Sequence, residues 1–369
     1  MTPESRRRAF DLIVLGAGPA GAAAGMTAAR AGLSVALVDK HAFPRDKLCG
    51  GGLTGRSMRL YRRIFEHERP DVPLVRCDSV SFHAFGEDLG TDHGVPPIHL
   101  GMRYAFDAAL VARALAAGAV DFTGQQGNVE PDEGTVRLPG VILEAPLIVA
   151  ADGVNSPTAR RLFGAAFDRE TIGFALEVEL PHPGPERALR IDFGAANWGY
   201  GWQFPKPQGT TIGLGGVLSR NADLKAALHR YLETLRVDDP PRFKGQFLPF
   251  GAFRPVPGQG RVLLAGDAAG LVDPITGEGI AHAMKSGAEA AQACIEALAT
   301  GRPLPLYRRR IEPVHAALRN ANLLRPVLFN PFMRPAFVRG FRQSRRLRRD
   351  YLAMLDGQTD YGPILRGMI

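Results

Sequence analysis

The first sustained apolar run of this chain, Leu12-Ile13-Val14-Leu15 after Asp11, has no polar alternation, which is the pattern of a short strand buried on both faces. Gly16-Ala17-Gly18-Pro19-Ala20-Gly21 breaks it, an alanine-rich stretch follows, and a second apolar run from Ser34 to Val38 ends on Asp39. That order predicts strand, turn, helix and strand within one βαβ-sized unit. Helical spacing of Leu110, Val111, Ala114 and Leu115 predicts a helix that opens at Met102-Arg103 and closes at Gly118. Short runs bounded by Pro and Gly from Val129 to Ile148 predict a meander that leads into the uniformly apolar Leu147-Ile148-Val149-Ala150. The stretch Ile172 to Phe253 is strand-rich with Gly-Thr and Gly-Gly turns. The buried-strand pattern returns at Arg261–Asp267, a helix is predicted from Gly279 to about Leu298, and a Pro-punctuated, Arg-rich helical tail follows Gly301.

The glycine spacing carries chemistry. Gly16 permits a tight turn, Gly18 lets a pyrophosphate approach the backbone, and Gly21 lets the helix pack on the strand. The helix that opens at Pro19-Ala20 offers free N–H groups and a positive dipole end, and Asp39, with Lys40 beside it, can meet a ribose hydroxyl. A glycine triplet alone is a weak signal. Here strand, turn, helix, strand and terminal acid occur in register.

The bulk composition narrows the class. At 369 residues, 45% hydrophobic and 22% charged, the chain is long enough for two joined domains and has the make-up of a globular protein. Cys49, Cys77 and Cys294 are few and scattered, so neither a disulfide framework nor a zinc or other metal site is expected. Arg6-Arg7-Arg8 before an uncharged stretch imitates an export signal or a membrane span, but Asp11 interrupts the junction and the stretch is mostly Gly and Ala. A soluble, cytoplasmic protein is therefore expected. The net charge of +8 implies an acidic partner, either a phosphate-bearing substrate or an anionic membrane face contacted peripherally; no nucleic acid is expected. Much of the surplus lies in Arg308-Arg309-Arg310 and in Arg339, Arg342, Arg345, Arg346, Arg348 and Arg349, a pattern that a solvated helix face also produces.

Later elements resemble the FAD-dependent oxidoreductases of the para-hydroxybenzoate-hydroxylase-like class, in an order that covers nearly the whole chain. They are Arg103-x-x-Phe106-Asp107, Ala151-Asp152-Gly153 with Asn155, Ser156 and Arg160 behind it, Gly266-Asp267, and Pro274 with Gly277-Glu278-Gly279. The resemblance implies that Arg103 lies near the cofactor, that Asp152 and Gly153 lie by the nucleotide, that Gly266-Asp267 meets the ribityl chain, and that Pro274, Gly277 and Gly279 pass beside the isoalloxazine. The helix opening at Ile280 would then direct N–H groups at the ring edge where negative charge gathers on reduction. The expected fold is α/β: a discontinuous Rossmann-type FAD-binding domain (1–80, 101–165 and 256–300), an inserted strand-rich substrate-binding domain (81–100 and 166–255) and a C-terminal helical region (301–369).

Two further stretches, Pro44-Arg45-Asp46-Lys47-Leu48-Cys49-Gly50-Gly51-Gly52-Leu53 and Tyr200-Gly201-Trp202-Gln203-Phe204-Pro205, are similar to motifs of the geranylgeranyl reductase family, which saturates isolated C=C bonds in prenyl chains. Trp198, Tyr200, Trp202 and Phe204 fall at period two, so one strand face carries aromatics while Gly199 and Gly201 leave the other bare. Such a face is either the inside of an ordinary sheet or the wall of an isoprenoid slot, and the resemblance implies the slot, with Pro205 at its end. Cys49 is by itself either a small buried hydrophobe or a thiol in an electropositive setting. The resemblance places it and Gly50-Gly51 against the isoalloxazine, where Cys49 tunes the flavin or gates the substrate and Tyr200 and Trp202 position the chain. Position 54 is Thr, which excludes a disulfide reductase. The expected substrate is a prenyl chain on a diphosphate, pigment, quinone or lipid, with NADPH or a ferredoxin-type protein as electron donor. Two alternatives remain: an aromatic monooxygenase or halogenase on the same scaffold, and a non-catalytic flavin- or prenyl-lipid-binding protein. The paired-Trp Ile-Pro element of halogenases is missing, since Tyr200 and Phe204 occupy that stretch.

Overall fold

The computed structural model describes residues 6–181 and 188–362. Three sheets organise the described chain. In the first, strands Gly258–Gln259, Val262–Leu264, Leu147–Ala150, Leu12–Leu15, Val35–Asp39 and Val120–Thr123 lie side by side, all parallel except the first. Leu12–Leu15 and Leu147–Ala150 are buried at every position, which is why both read as unbroken apolar runs.

Helix Pro19–Arg30 packs between helices Arg103–Ala116 and Ile280–Ala297. It is buried almost all round, so alanines and glycines are what its neighbours leave room for. A Cβ on Gly287 would stand 1.9 Å from the Ala20 carbonyl oxygen, so Ile280–Ala297 approaches the first turn of Pro19–Arg30 at backbone distance.

A second sheet runs Arg6–Ala9, Val141–Glu144, Thr135–Leu138 and Asn128–Glu130. The basic run that imitates an export signal is thus a strand, parallel to Val141–Glu144, with Arg7 paired to Glu144 and Arg8 over the rings of Phe10 and Phe122.

The third sheet has the order Lys244–Leu248, Gly173–Leu180, Gly209–Val217, Gly199–Lys206, Leu189–Phe193, Val75–Ala84, Glu87–Leu100 and Gly52–Leu53. Val75–Ala84 crosses the division expected at residue 80, and Gly52–Leu53 leaves the nucleotide-binding part to join this sheet. Helix Leu224–Thr234 covers one face, through Leu228, Tyr231 and Leu232 on Leu176, Val178, Ile212 and Leu214. Part of the other face meets the tail helices Arg334–Gln343 and Arg345–Asp356, where Phe82 and Phe193 pack edge-on against Phe341 and Tyr351. Helix Leu304–Phe329 docks on the first sheet, with the Tyr307 hydroxyl donating to the Leu264 carbonyl at 2.9 Å. Among the described residues, no helix is long and apolar enough to cross a membrane.

The close helix contact gives the first prediction. Gly287→Val should cost about 1–3 kcal/mol by overpacking, read as a lower urea midpoint. Gly340→Ala, in an open helical position where the nearest atom to the new Cβ is 4.0 Å away, should leave the midpoint unchanged or raise it.

Candidate active site

The turn after Leu15 is built for close backbone approach. Gly16 has φ +90°, and a Cβ there would stand 2.2 Å from the Ala151 carbonyl oxygen; one on Gly21 would overlap the Gly16 carbonyl. Gly18 has room, with only an Arg45 guanidinium nitrogen within 4 Å of a built Cβ. Helix Pro19–Arg30 begins with Pro at N1, no side-chain cap and no acidic residue in its first turn, so its leading N–H groups stay available to an anion. Asp39 accepts from the amides of Ala17 and His41, both at 2.8 Å, which fixes the carboxylate beside the turn. Lys40 is exposed beyond it.

The other expected nucleotide elements converge on the same edge. Asp152 accepts from the Thr158 amide at 3.1 Å, while its second oxygen is buried with no hydrogen-bond partner among the described residues, and burial raises its pKa. Gly153 and Gly266 both have positive φ, and the Gly266 amide donates to Ser286 Oγ at 2.9 Å. The Asp267 carboxylate lies 3.8 Å from the Cβ position of Gly279, the uncapped start of helix Ile280–Ala297. Between them, Asp273 accepts from the Ile275 and Thr276 amides and from the Tyr361 hydroxyl, which clamps the Pro274–Gly277 loop. An open glycine turn, two uncapped helix N-termini, an orphaned Asp152 oxygen and an orphaned Arg45 Nη1 all face this region and suit a dinucleotide with a planar ring.

Asp107 is fully buried and takes two guanidinium groups. Arg103 forms a bidentate pair with it at 2.8 Å, one helical turn away, and Arg45 reaches it at 2.9 Å. Arg103 also faces the Cys49 thiol. Lys47 is in reach of both Asp267 and Cys49, and burial lowers its pKa. The loop that follows is held from two sides. Lys206 Nζ donates to the carbonyls of Gly50 and Gly101, and Glu177 Oε1 accepts from the Cys49 amide at 3.1 Å.

The aromatic row is shorter than its period suggests. Ring centroids of Tyr200 and Trp202 lie 5.9 Å apart and those of Trp202 and Phe204 6.3 Å. Phe204 lies against Gly50, where a Cβ would come within 2.6 Å of its ring. The Tyr200 hydroxyl donates to the Thr276 carbonyl at 2.6 Å, which ties the row to the Pro274–Gly277 loop. Trp198 precedes strand Gly199–Lys206, has φ +53°, and lies against Arg220 and Arg325 instead of continuing the row. Pro205 alternates to the opposite face. That face is not bare, because Gly201 leaves room for the Tyr231 ring of helix Leu224–Thr234.

Arg45 and Asp107 lie inside motifs that are read for their other members, and the four-residue spacing of Arg103 and Asp107 is the signal for that pair. Lys206 directly follows the aromatic motif, and Glu177 is a lone carboxylate in the apolar run Phe174–Val178.

Fold and site define an FAD-dependent oxidoreductase, and residues 11–69 match the family model described as FAD dependent oxidoreductase. The menaquinone reductase of Mycolicibacterium smegmatis is 33% identical over 76% of this chain and 75% of its own length. The geranylgeranyl diphosphate reductase of Rhodobacter capsulatus is 31% identical over 82% and 79%. The crystal structure of a geranylgeranyl bacteriochlorophyll reductase-like protein from Thermoplasma acidophilum superposes with a TM-score of 0.74 at 21% identity, covering 96% of this chain and 94% of that one. The chain belongs to the geranylgeranyl reductase family of FAD-dependent oxidoreductases.

Gly16→Ala should yield folded protein that cannot be loaded with FAD, checked by circular dichroism and by flavin absorbance after reconstitution. Gly32→Ala, which has the similar φ of +85° but nothing within 4 Å of the added Cβ, should lose about 1–2 kcal/mol and keep its flavin.

Proposed function

We propose that this chain is a reductase that saturates isolated C=C bonds of a prenyl chain, with electrons delivered to FAD by NADPH or a ferredoxin-type protein. The observation that carries the reading is the contact of the Cys49–Gly51 loop with the Trp202 and Phe204 rings beside the nucleotide turn. Bound FAD, once reduced, supplies the hydride. Gly16, Gly18, Pro19, Ala20 and Gly21 would receive the pyrophosphate, with the Arg45 guanidinium beside the turn, and Asp39 and Lys40 would take the ribose end. Asp152 and Gly153 would lie by the nucleotide, and Gly266 and Asp267 would meet the ribityl chain. Arg103 would lie near the cofactor, and Pro274, Gly277, Gly279, Ile280 and Cys49–Gly51 would border the ring.

An unactivated alkene presents little charge for the protein to hold, so catalysis rests on positioning. Tyr200, Trp202 and Phe204 supply flat apolar area at low entropic cost. The relatives named for menaquinone and for geranylgeranyl diphosphate both point to isoprenoid substrates, so the prenyl chain, rather than its headgroup, is the shared feature.

We also propose that the tail meets an anionic membrane surface. Phe332, at the joint of helices Leu304–Phe329 and Arg334–Gln343, is 92% exposed and Leu323, within the first of them, 68%, and Arg319, Arg339, Arg345, Arg346 and Arg349 are exposed nearby in sequence. Exposed apolar side chains with exposed arginines near them in sequence suit an interface of acyl chains and acidic headgroups.

Three outcomes test these readings. Under strictly anaerobic conditions the reduced protein should saturate a geranylgeranyl substrate with reoxidation of its flavin. Product that forms only with oxygen and carries an added oxygen atom would establish the monooxygenase alternative instead, and absence of turnover the binding-protein one. Trp202→Ala should lower turnover by about 10- to 100-fold through lost positioning, and Cys49→Ala should lower it or change product saturation, both with FAD retained. Liposome binding should require acidic lipid, weaken with salt because charges are screened over about 8 Å at physiological ionic strength, and drop in Phe332→Ser.

A further inference from the structure

Strand Gly173–Leu180 sorts its side chains by face. Phe174, Leu176, Val178 and Leu180 pack toward helix Leu224–Thr234, while Ala175 and Glu177 share the other face with Leu48 and Trp202. Glu177 stands opposite Gly213, which in turn stands opposite Trp202. Gly213 supplies no side chain, and a Cβ there would lie 2.5 Å from Trp202 Cζ2, so the indole leans over this gap toward the strand that carries Glu177.

Glu177 is 1% exposed, and only one of its oxygens is satisfied, by the Cys49 amide. Glu177 Oε2 and Trp202 Nε1 are both buried without a hydrogen-bond partner among the described residues. A buried carboxylate with an orphaned oxygen is costly when ionised, and a proton lowers that cost.

The charged groups around it run toward the edge of the sheet. Lys206 faces it from strand Gly199–Lys206 but is committed to the Gly50 and Gly101 carbonyls. Glu179 is two residues on and on the same face, and Lys244 of strand Lys244–Leu248 bridges Glu179 at 3.1 Å and Asp46 at 2.8 Å at the half-exposed sheet edge. Strand Gly209–Val217 contributes no charged side chain here. On the inner side stands Cys49, whose sulfur accepts from the Gly51 amide at 3.4 Å, with Arg103, Lys47 and Lys206 within electrostatic reach.

We propose that Glu177 is the proton store of the reaction, passing its carboxyl proton to Cys49 and being reloaded from solvent through the Glu179–Lys244 edge. The inference rests on the prenyl-reductase reading. The Cys49 S–H bond breaks as its proton goes to the alkene carbon that does not receive the hydride. The Glu177 carboxyl proton then restores the thiol, and a proton from water restores the carboxyl, so one hydride and one proton are consumed per double bond. Burial pushes the Glu177 carboxyl up to about 7, with the Cys49 amide and Lys206 acting against the shift. The loaded acid is therefore present below about pH 7 and is lost as pH rises through that value.

The test uses the FAD-loaded full chain and Glu177→Gln, which keeps an acceptor for the Cys49 amide. Infrared titration without substrate should show a protonated-carboxyl band that disappears as pH rises through about 7, shifts in D2O and is missing from E177Q. In single-turnover saturation of a geranylgeranyl substrate, the wild-type rate should fall above about pH 7. E177Q should be about 10²-fold slower or more with that dependence removed, and Glu177→Asp should recover part of the rate together with a pH dependence. E177Q with the wild-type rate and profile, or a wild type lacking the titrating band, overturns the assignment. A wild type that saturates no prenyl chain overturns the reductase reading along with it.

Discussion

One buried ammonium joins the parts of this site. Lys206, at the end of a strand of the large sheet, donates to the carbonyl of Gly50 in the Cys49 loop and to that of Gly101, just before helix Arg103–Ala116. Each such charge-assisted bond is worth about 1.5–3 kcal/mol, and loss of the ammonium leaves two carbonyls facing a closed interior. Its position also explains the glycine at 51, because φ there is +62° and a Cβ would stand 2.6 Å from Nζ. Burial lowers the Lys206 pKa to about 8, so the fastening is mostly charged at neutral pH and weakens in alkali.

The nucleotide turn was legible in the sequence because its requirements are local. Gly16 and Gly21 are glycines owing to atoms supplied by the same βαβ unit and its neighbouring strand, and the flanking strands announce themselves by uniform apolarity. The aromatic row was legible as a period. Its limit was not, since the positive φ that turns Trp198 toward Arg220 and Arg325 belongs to a turn between strands rather than to the alternation. Glu177 and Lys206 escaped notice because their partners are remote in sequence: Glu177 binds an amide 128 residues away, and Lys206 binds carbonyls 156 and 105 residues away.

The basic character of the tail likewise divides only in three dimensions. Arg348 is buried, donating to Asp92 and to the carbonyls of Phe341 and Arg342, while Arg310 pairs with Glu289 and Glu296. Arg325 lies beneath the Phe250 and Trp198 rings. These arginines hold helices to the body. Arg339, Arg345, Arg346 and Arg349 remain exposed, so a net charge that looks uniform along the sequence is partly scaffold and partly surface.

The clamp of Tyr361 on Asp273 spans 88 residues and sets an order on synthesis. The strands of the nucleotide-binding sheet and helix Ile280–Ala297 are complete once Ala297 has emerged, yet the Pro274–Gly277 loop still lacks its phenol donor. At about 5–20 residues per second, the interval before Tyr361 is made lasts some seconds. During it the glycine turn at Gly16–Gly21 is already formed while the far wall of the cleft is unfastened, so a nascent chain meets its dinucleotide through an open door that the segment carrying Tyr361 then shuts.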